Sequence, residues 1–325
     1  AHQRVRRREP IQGRLSELIH GDLGLHQGGE LVLAHRAVAV GLRDLVVALQ
    51  HRAVGADRVA ERGHVHHCAG LARECLGEGA VGGDEAGELE VLTELGDVLE
   101  NTYQYEEAAG TLMQALKIQE KLGKTEALSE TSDRLGGVYY NQGDYQNAIV
   151  YYNKALNIAK DSDNKSAEGS ILNDIGVTYY KTGKYDEAIE TLNRSVEIDK
   201  SVGNKKNLSL SYNNIGNINF NWKKYEKAIE YYQLSLGLKK ELNFEQGIAA
   251  SLYNIGNTYL ELTDYSKAKE FLSAALDLSN KLHFNEVTQL THKSLSRLYE
   301  STKDYQNATN SYKSYISVIG TGVVA

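Results

Sequence analysis

The chain has 325 residues, 24% of them charged, and a formal net charge of −7. That acidic balance argues against broad binding to nucleic acid or to an anionic membrane surface, both of which need a basic face. No run of eighteen apolar residues occurs, which excludes a transmembrane helix in this sequence, and two cysteines cannot build a disulfide framework.

Residues 1–90 differ in composition from everything after them. They contain no Lys, Asn, Tyr, Phe or Thr, yet they hold 11 of the 14 Arg and 8 of the 10 His. All 21 Tyr and all 22 Lys lie beyond them. The shift points to different origins for the two parts, with a fusion or a foreign reading frame as the alternatives for the first. The opening AHQRVRRREPIQGR is basic but leads into no apolar signal core. HVHHC (64–68) with Cys75 supplies zinc-type ligands, but three His within four residues cannot all face one ion. GLHQGG (24–29) lacks the strand, spacing and Lys of a phosphate-cradling loop, and GEGAVGG (77–83) is poor helix material.

From residue 91 onward a period of forty residues runs without insertion. Small residues recur at Gly96, Gly136, Gly176, Gly216, Gly256 and Ser296. Nine positions later stand Tyr105, Tyr145, Tyr185, Tyr225, Tyr265 and Tyr305, and three further on Ala108, Ala148, Ala188, Ala228, Ala268 and Ala308. Within a unit, NDIGVTYYKTG (173–183) has apolar residues at helical spacing and stops at Gly183-Lys184. YDEAIETLNRSVEI (185–198) then restarts with carboxylates in its first turn and an apolar stripe through Ala188, Ile189, Leu192 and Val196. Polar stretches such as DSDNK (161–165) and GNKK (203–206) turn the chain into the next unit. A pair of helices cannot bury its apolar face alone, so each unit needs its neighbour, and the small residues mark close helix crossings.

This skeleton resembles the tetratricopeptide repeat (TPR). Ile175-Gly176, Tyr179, Gly183, Ala188 and Leu192 hold the family positions in one unit, and Leu135-Gly136, Tyr139, Gly143, Ala148, Tyr152 and Ala155 hold them in the one before. The repeat is longer than the common form, the family's Trp and Pro are absent, and Lys223 and Thr263 replace the inter-helix Gly. The Asn-Ile-Gly-Asn segments at 214–217 and 254–257 are similar to repeats of kinesin light chains, cell-polarity adaptors and bacterial sensor proteins. The resemblance implies an all-α solenoid, a right-handed superhelix of antiparallel helix pairs. Its six units are placed at 89–128, 129–168, 169–208, 209–248, 249–288 and 289–322. Stepping back by forty gives chemically sensible residues at the same positions, so 1–88 is expected to hold two divergent units, with Cys68 at a small core position.

In such arrays the first helix of each unit lines a concave inner face. The resemblance places Asn173, Asn213, Tyr253 and Lys293, then Asn217, Asn257 and Arg297, on that face. Asn214 and Asn254 lie one residue along, and Tyr140, Tyr180 and Phe220 occupy the next turn as apolar pockets. Asparagine offers a donor and an acceptor, so a row of them can hold an extended peptide backbone without reading its side chains. The same row can instead bond neighbouring helices and only stabilise the stack. Lys293 and Arg297 lack the upstream partners of the carboxylate clamp found in chaperone-binding members, so a C-terminal carboxylate ligand is not expected. No nucleophile constellation or dinucleotide fingerprint occurs.

The expected function is a non-enzymatic, cytoplasmic scaffold that binds a protein or peptide ligand, as a peptide or helix, in the groove. It needs no cofactor and no metal, and it engages neither nucleic acid nor membrane. The alternative is a sensory or regulatory segment of a bacterial signalling protein whose kinase or cyclase module is missing from this chain. The ending HKSLSRLYESTKDYQNATNSYKSYISV resembles the last repeat of such sensors.

Overall fold

A computed structural model describes residues 85–323. The histidine-cysteine stretch, the glycine-rich segments and the divergent units expected before residue 85 lie outside the described residues. The described residues form twelve α-helices and no strand. They are α1 Glu85–Asn101, α2 Tyr105–Leu122, α3 Thr125–Gln142, α4 Tyr145–Asp161, α5 Lys165–Lys181, α6 Tyr185–Val202, α7 Lys205–Asn221, α8 Tyr225–Glu241, α9 Glu245–Glu261, α10 Tyr265–Lys281, α11 Asn285–Ser301 and α12 Tyr305–Val323. Odd-numbered helices open each hairpin and even-numbered ones close it, so the chain is an all-α repeat array. It divides into two compact units, Ala1–Ile158 and Ala159–Ala325. Among the described residues no helix is long and apolar enough to cross a membrane.

A left-handed residue stops the chain every twenty positions. Positive φ occurs at Tyr103, Gly123, Gly143, Asp163, Gly183, Gly203, Lys223, Asn243, Thr263, His283 and Lys303. The backbone there closes each helix; after α5, for example, Gly183 N–H donates to Tyr180 O and Lys184 N–H to Tyr179 O. Glycine adopts this conformation at little cost, whereas Lys223 at φ 58° and Thr263 at φ 59° hold it against their own Cβ. Several helices restart on a side-chain cap: Asp144, Asn164, Asn204, Asp264 and Asp304 each accept an amide three residues on.

Packing within a hairpin follows from the glycine column. A Cβ on Gly176 would stand 2.7 Å from Leu192, one on Gly256 2.8 Å from Leu272, and one on Gly96 2.9 Å from Leu112. Each glycine is therefore the seat for the side chain sixteen residues later. Ala188, Ala228 and Ala268 lie fully buried at the same crossing. The last hairpin departs from the rule. Ser296 stands at the glycine position and donates to Ala308 O at 3.2 Å, and Tyr312, in the column of Leu272, is 55% exposed.

Candidate functional site

In the unit Ala159–Ala325 the opening helices α5, α7, α9 and α11 each bury a broad face of the helix. In α7, Asn207, Leu208, Ser209, Ser211, Tyr212, Ile215, Gly216, Ile218 and Asn219 are buried. Past its first turn, where Lys205 and Lys206 are exposed, what is left accessible, Leu210, Asn213, Asn214, Asn217, Phe220 and Asn221, recurs at helical spacing and forms one stripe. On α7 the fold thus leaves one accessible stripe, asparagine-rich with Leu210 and Phe220 beside the amides.

Side-chain hydrogen bonds join these faces in sequence. Asn214 Nδ2 donates to Asn173 Oδ1 at 2.9 Å, linking α7 to α5. Asn254 Nδ2 donates to Asn213 Oδ1 at 3.3 Å, linking α9 to α7. Ser294 Oγ donates to Asn257 Oδ1 at 3.0 Å, and Arg297 pairs with Glu261 at 2.9 Å, linking α11 to α9. Asn221 Nδ2 donates to the Tyr180 hydroxyl, again from α7 to α5. Asn217 Oδ1 accepts from the Tyr232 hydroxyl at 2.8 Å.

The twelve residues singled out from the sequence therefore have different fates. Asn213, Asn214, Asn217, Asn254 and Asn257 are half-buried on the stripes. Each spends one end of its amide on the bond above, and the other end is not engaged among the described residues. The unspent groups are Nδ2 of Asn213, Asn217 and Asn257, and Oδ1 of Asn214 and Asn254. Asn173 is only 6% exposed; its Oδ1 accepts from both Asn214 and Ser211, and its Nδ2 donates to Asp174. It supports the row rather than facing outward. Tyr253 is half-buried, and burial raises its phenol pKa while Ser294 and Arg297 oppose the shift. Lys293 is exposed and makes no ion pair among the described residues. The rings of Tyr180 and Phe220 lean on Tyr185 and Tyr225, at 5.9 and 5.6 Å between centroids, and are half-buried.

Tyr140 belongs to the other unit, on α3, with its ring 5.5 Å from that of Tyr145. There the equivalent columns carry charge: Arg134 on α3 bridges Asp97 and Glu100 on α1, and burial raises both carboxylates while Arg134 lowers them. The amide row is thus a property of the second unit.

Two stripe residues were not singled out from the sequence. Asp174 shares a column with Asn214 and Asn254 and is reached by stepping back forty. Burial pushes its carboxyl up to about 6, against one opposing hydrogen bond from Asn173. Asn221 lies five past Gly216, on the same stripe as Asn217. Among the described residues no group of His, Cys, Asp and Glu is arranged to hold a metal ion.

A tetratricopeptide repeat family model matches residues 87–161, 125–201 and 167–241, and a second model of the same description matches 249–282. No curated protein matches the sequence. Among solved structures, the chain is similar to BtubC (BKLC) from P. vanneervenii, with 21% identity and a TM-score of 0.61 over 67% of this chain and 91% of that one. It is also similar to a Signal Transduction ATPase with Numerous Domains protein with a tetratricopeptide repeat sensor from Pyrococcus horikoshii, with 16% identity and a TM-score of 0.67 over 91% of this chain and 45% of that one. A third is the apo form of the quorum sensor NprR from B. thuringiensis, with 14% identity and a TM-score of 0.55 over 95% of this chain and 98% of that one.

Proposed function

Because the chain belongs to the tetratricopeptide repeat family, we propose that its second unit is a protein-interaction module that holds an extended peptide across α5, α7, α9 and α11. The half-spent amide row carries this reading. Each bond to a neighbouring helix fixes the orientation of its amide, so the unspent donor or acceptor is presented without further ordering cost. Donors at Asn213, Asn217 and Asn257 lie among acceptors at Asn214 and Asn254, which suits the alternating C=O and N–H groups of a peptide backbone. Tyr180 and Phe220 add apolar surface beside the row, and Lys293 adds an exposed ammonium. The proposal assigns binding and no catalysis.

The test is selection of binders from a displayed random nonapeptide library against the full chain. Fluorescence anisotropy of a selected peptide then compares wild type with the Asn213→Ala/Asn257→Ala double variant. Loss of about tenfold or more in affinity, near 1.4 kcal/mol, with unchanged helicity is the expected result. Undiminished affinity would move the peptide off this face.

A sensory role inside a larger signalling protein is a second reading, favoured by the likeness to the sensor of the signal-transduction ATPase and to the quorum sensor. Discovery of an effector module in the same gene would support it, whereas a gene encoding the repeats alone would remove it.

A further inference from the structure

Charge does not select a ligand for the face of α5, α7, α9 and α11, because its signs are mixed. Asp174 and Lys181 share the stripe of α5, Lys293 and Glu300 share that of α11, and Glu261 on α9 pairs with Arg297 on α11 at 2.9 Å. The apolar residues are ordered instead. One turn before Asn213, Tyr253 and Lys293 stand Leu210, Ala250 and Leu290, a single column of the repeat. The same column carries Glu130 on α3 and Ser170 on α5, residues that suit a solvated position. Leu210 and Leu290 occupy it 40% and 38% exposed, with the small side chain of Ala250 between them. The two leucines thus flank a notch floored by Ala250, and they hold apolar surface in water that a ligand side chain would cover. On the other side of the amides lie the half-buried rings of Tyr180 and Phe220. The half-spent asparagines therefore run between two apolar margins.

Building on the peptide-binding reading, we infer that the ligand of this face is an extended peptide with two large apolar side chains an odd number of residues apart. One seats over Ala250 between Leu210 and Leu290, and the other rests against Tyr180 and Phe220. The parity follows from strand geometry. A backbone that turns its C=O and N–H groups toward the asparagines sends successive side chains to opposite sides, alternately toward the two margins. The interval follows from the helix spacing. With neighbouring opening helices about 8–10 Å apart, Ala250 on α9 stands about 12–15 Å along the row from the midpoint of Tyr180 on α5 and Phe220 on α7. At about 3.3 Å per residue that is about four steps, and the nearest odd intervals are about three and five. The amides hold the backbone whatever its sequence, and the two margins read the side chains.

The nonapeptide selection is repeated with wild type, Ala250→Leu and Leu210→Ser/Leu290→Ser, with helicity checked for each. Wild type is expected to enrich peptides carrying two large apolar residues at the odd intervals. Ala250→Leu fills the notch, so peptides selected on it should replace one member of the pair by Gly or Ala and keep the other. For a peptide selected on wild type, either variant should weaken binding by about tenfold, whereas adding about 0.5 M salt should change it by less than about threefold. Recovery of no binder, or of binders indifferent to Asn213→Ala/Asn257→Ala, overturns the peptide-binding reading and this inference with it. Binders that depend on the asparagines but carry no apolar pair, or carry it at even intervals, or keep the same pair on Ala250→Leu, overturn the inference alone.

Discussion

The hydroxyl of Tyr232 donates to Asn217 Oδ1 at 2.8 Å, while its ring lies against Gly216, where a Cβ would stand 2.6 Å from the ring edge. One side chain thus fills the crossing of α7 and α8 and sets the orientation of an amide on the candidate binding face. The core and the site are coupled through a single residue. Tyr232→Phe keeps the packing and removes the bond, so it should cost about 1 kcal/mol in urea unfolding. It should also weaken peptide binding in anisotropy, because Asn217 then turns freely. A Phe variant that binds as well as wild type would show that the orientation of Asn217 is immaterial.

Gly216→Ala is expected to destabilise by about 1–3 kcal/mol, because the Tyr232 ring is 3% exposed and has nowhere to retreat. Gly237, on the outer side of α8, meets nothing within 4 Å when given a Cβ. Gly237→Ala should therefore stabilise by up to about 1 kcal/mol through helix propensity alone. The two midpoints moving in the same direction would contradict the packing scheme.

Lys239 gives the second unit a pH dependence on the alkaline side. Its ammonium is buried at the end of α8, 4% exposed, and donates to Ser251 Oγ at 2.9 Å. Gly247 lies against its stem, where a Cβ would stand 3.1 Å from Lys239 Cδ, and burial lowers its pKa from 10.5 to about 8. The folded state thus binds this proton less tightly than the unfolded one. The penalty is fully present below pH 8 and fades as pH rises toward 10.5, so urea midpoints should climb between pH 8 and 10. Above that, the raised phenol pKa values of Tyr180 and Tyr253 act in the opposite sense. Lys239→Met should flatten the climb and stabilise at pH 7 by about 1–3 kcal/mol.

Asp174 acts at the acid end. A carboxyl held at about 6, against 3.8 in the unfolded chain, favours the neutral acid in the folded state. Its contribution is fully present below pH 3.8 and is lost as pH rises through 6. Asp174→Asn should remove this slope and stabilise at pH 7 by on the order of 1 kcal/mol.

Much of the fold was legible because one constraint recurs every forty residues. A seat such as Gly176 and a large occupant such as Leu192 recur in five of the six hairpins, so the column shows in the sequence. The left-handed turns were legible where glycine marks them. Lys223 and Thr263 carry no such mark, and only the register places them. The buried column Gln119, Asp199, Lys239 and Ser279 was not legible, since its members share no chemistry. Each bonds a different polar partner on the following helix: Thr131, Asn207, Ser251 and Thr288 respectively.

The sequence by itself determined that helices of these lengths alternate with left-handed stops and which residues recur on each face, because both follow from local spacing along one chain. It could not determine which half of each asparagine is used. The bonded pairs, Asn214 with Asn173 and Asn254 with Asn213, lie forty-one residues apart rather than forty. That one-residue stagger arises from how neighbouring opening helices sit side by side. Only the tertiary structure sets it, and it alone decides which donors and acceptors are left facing out.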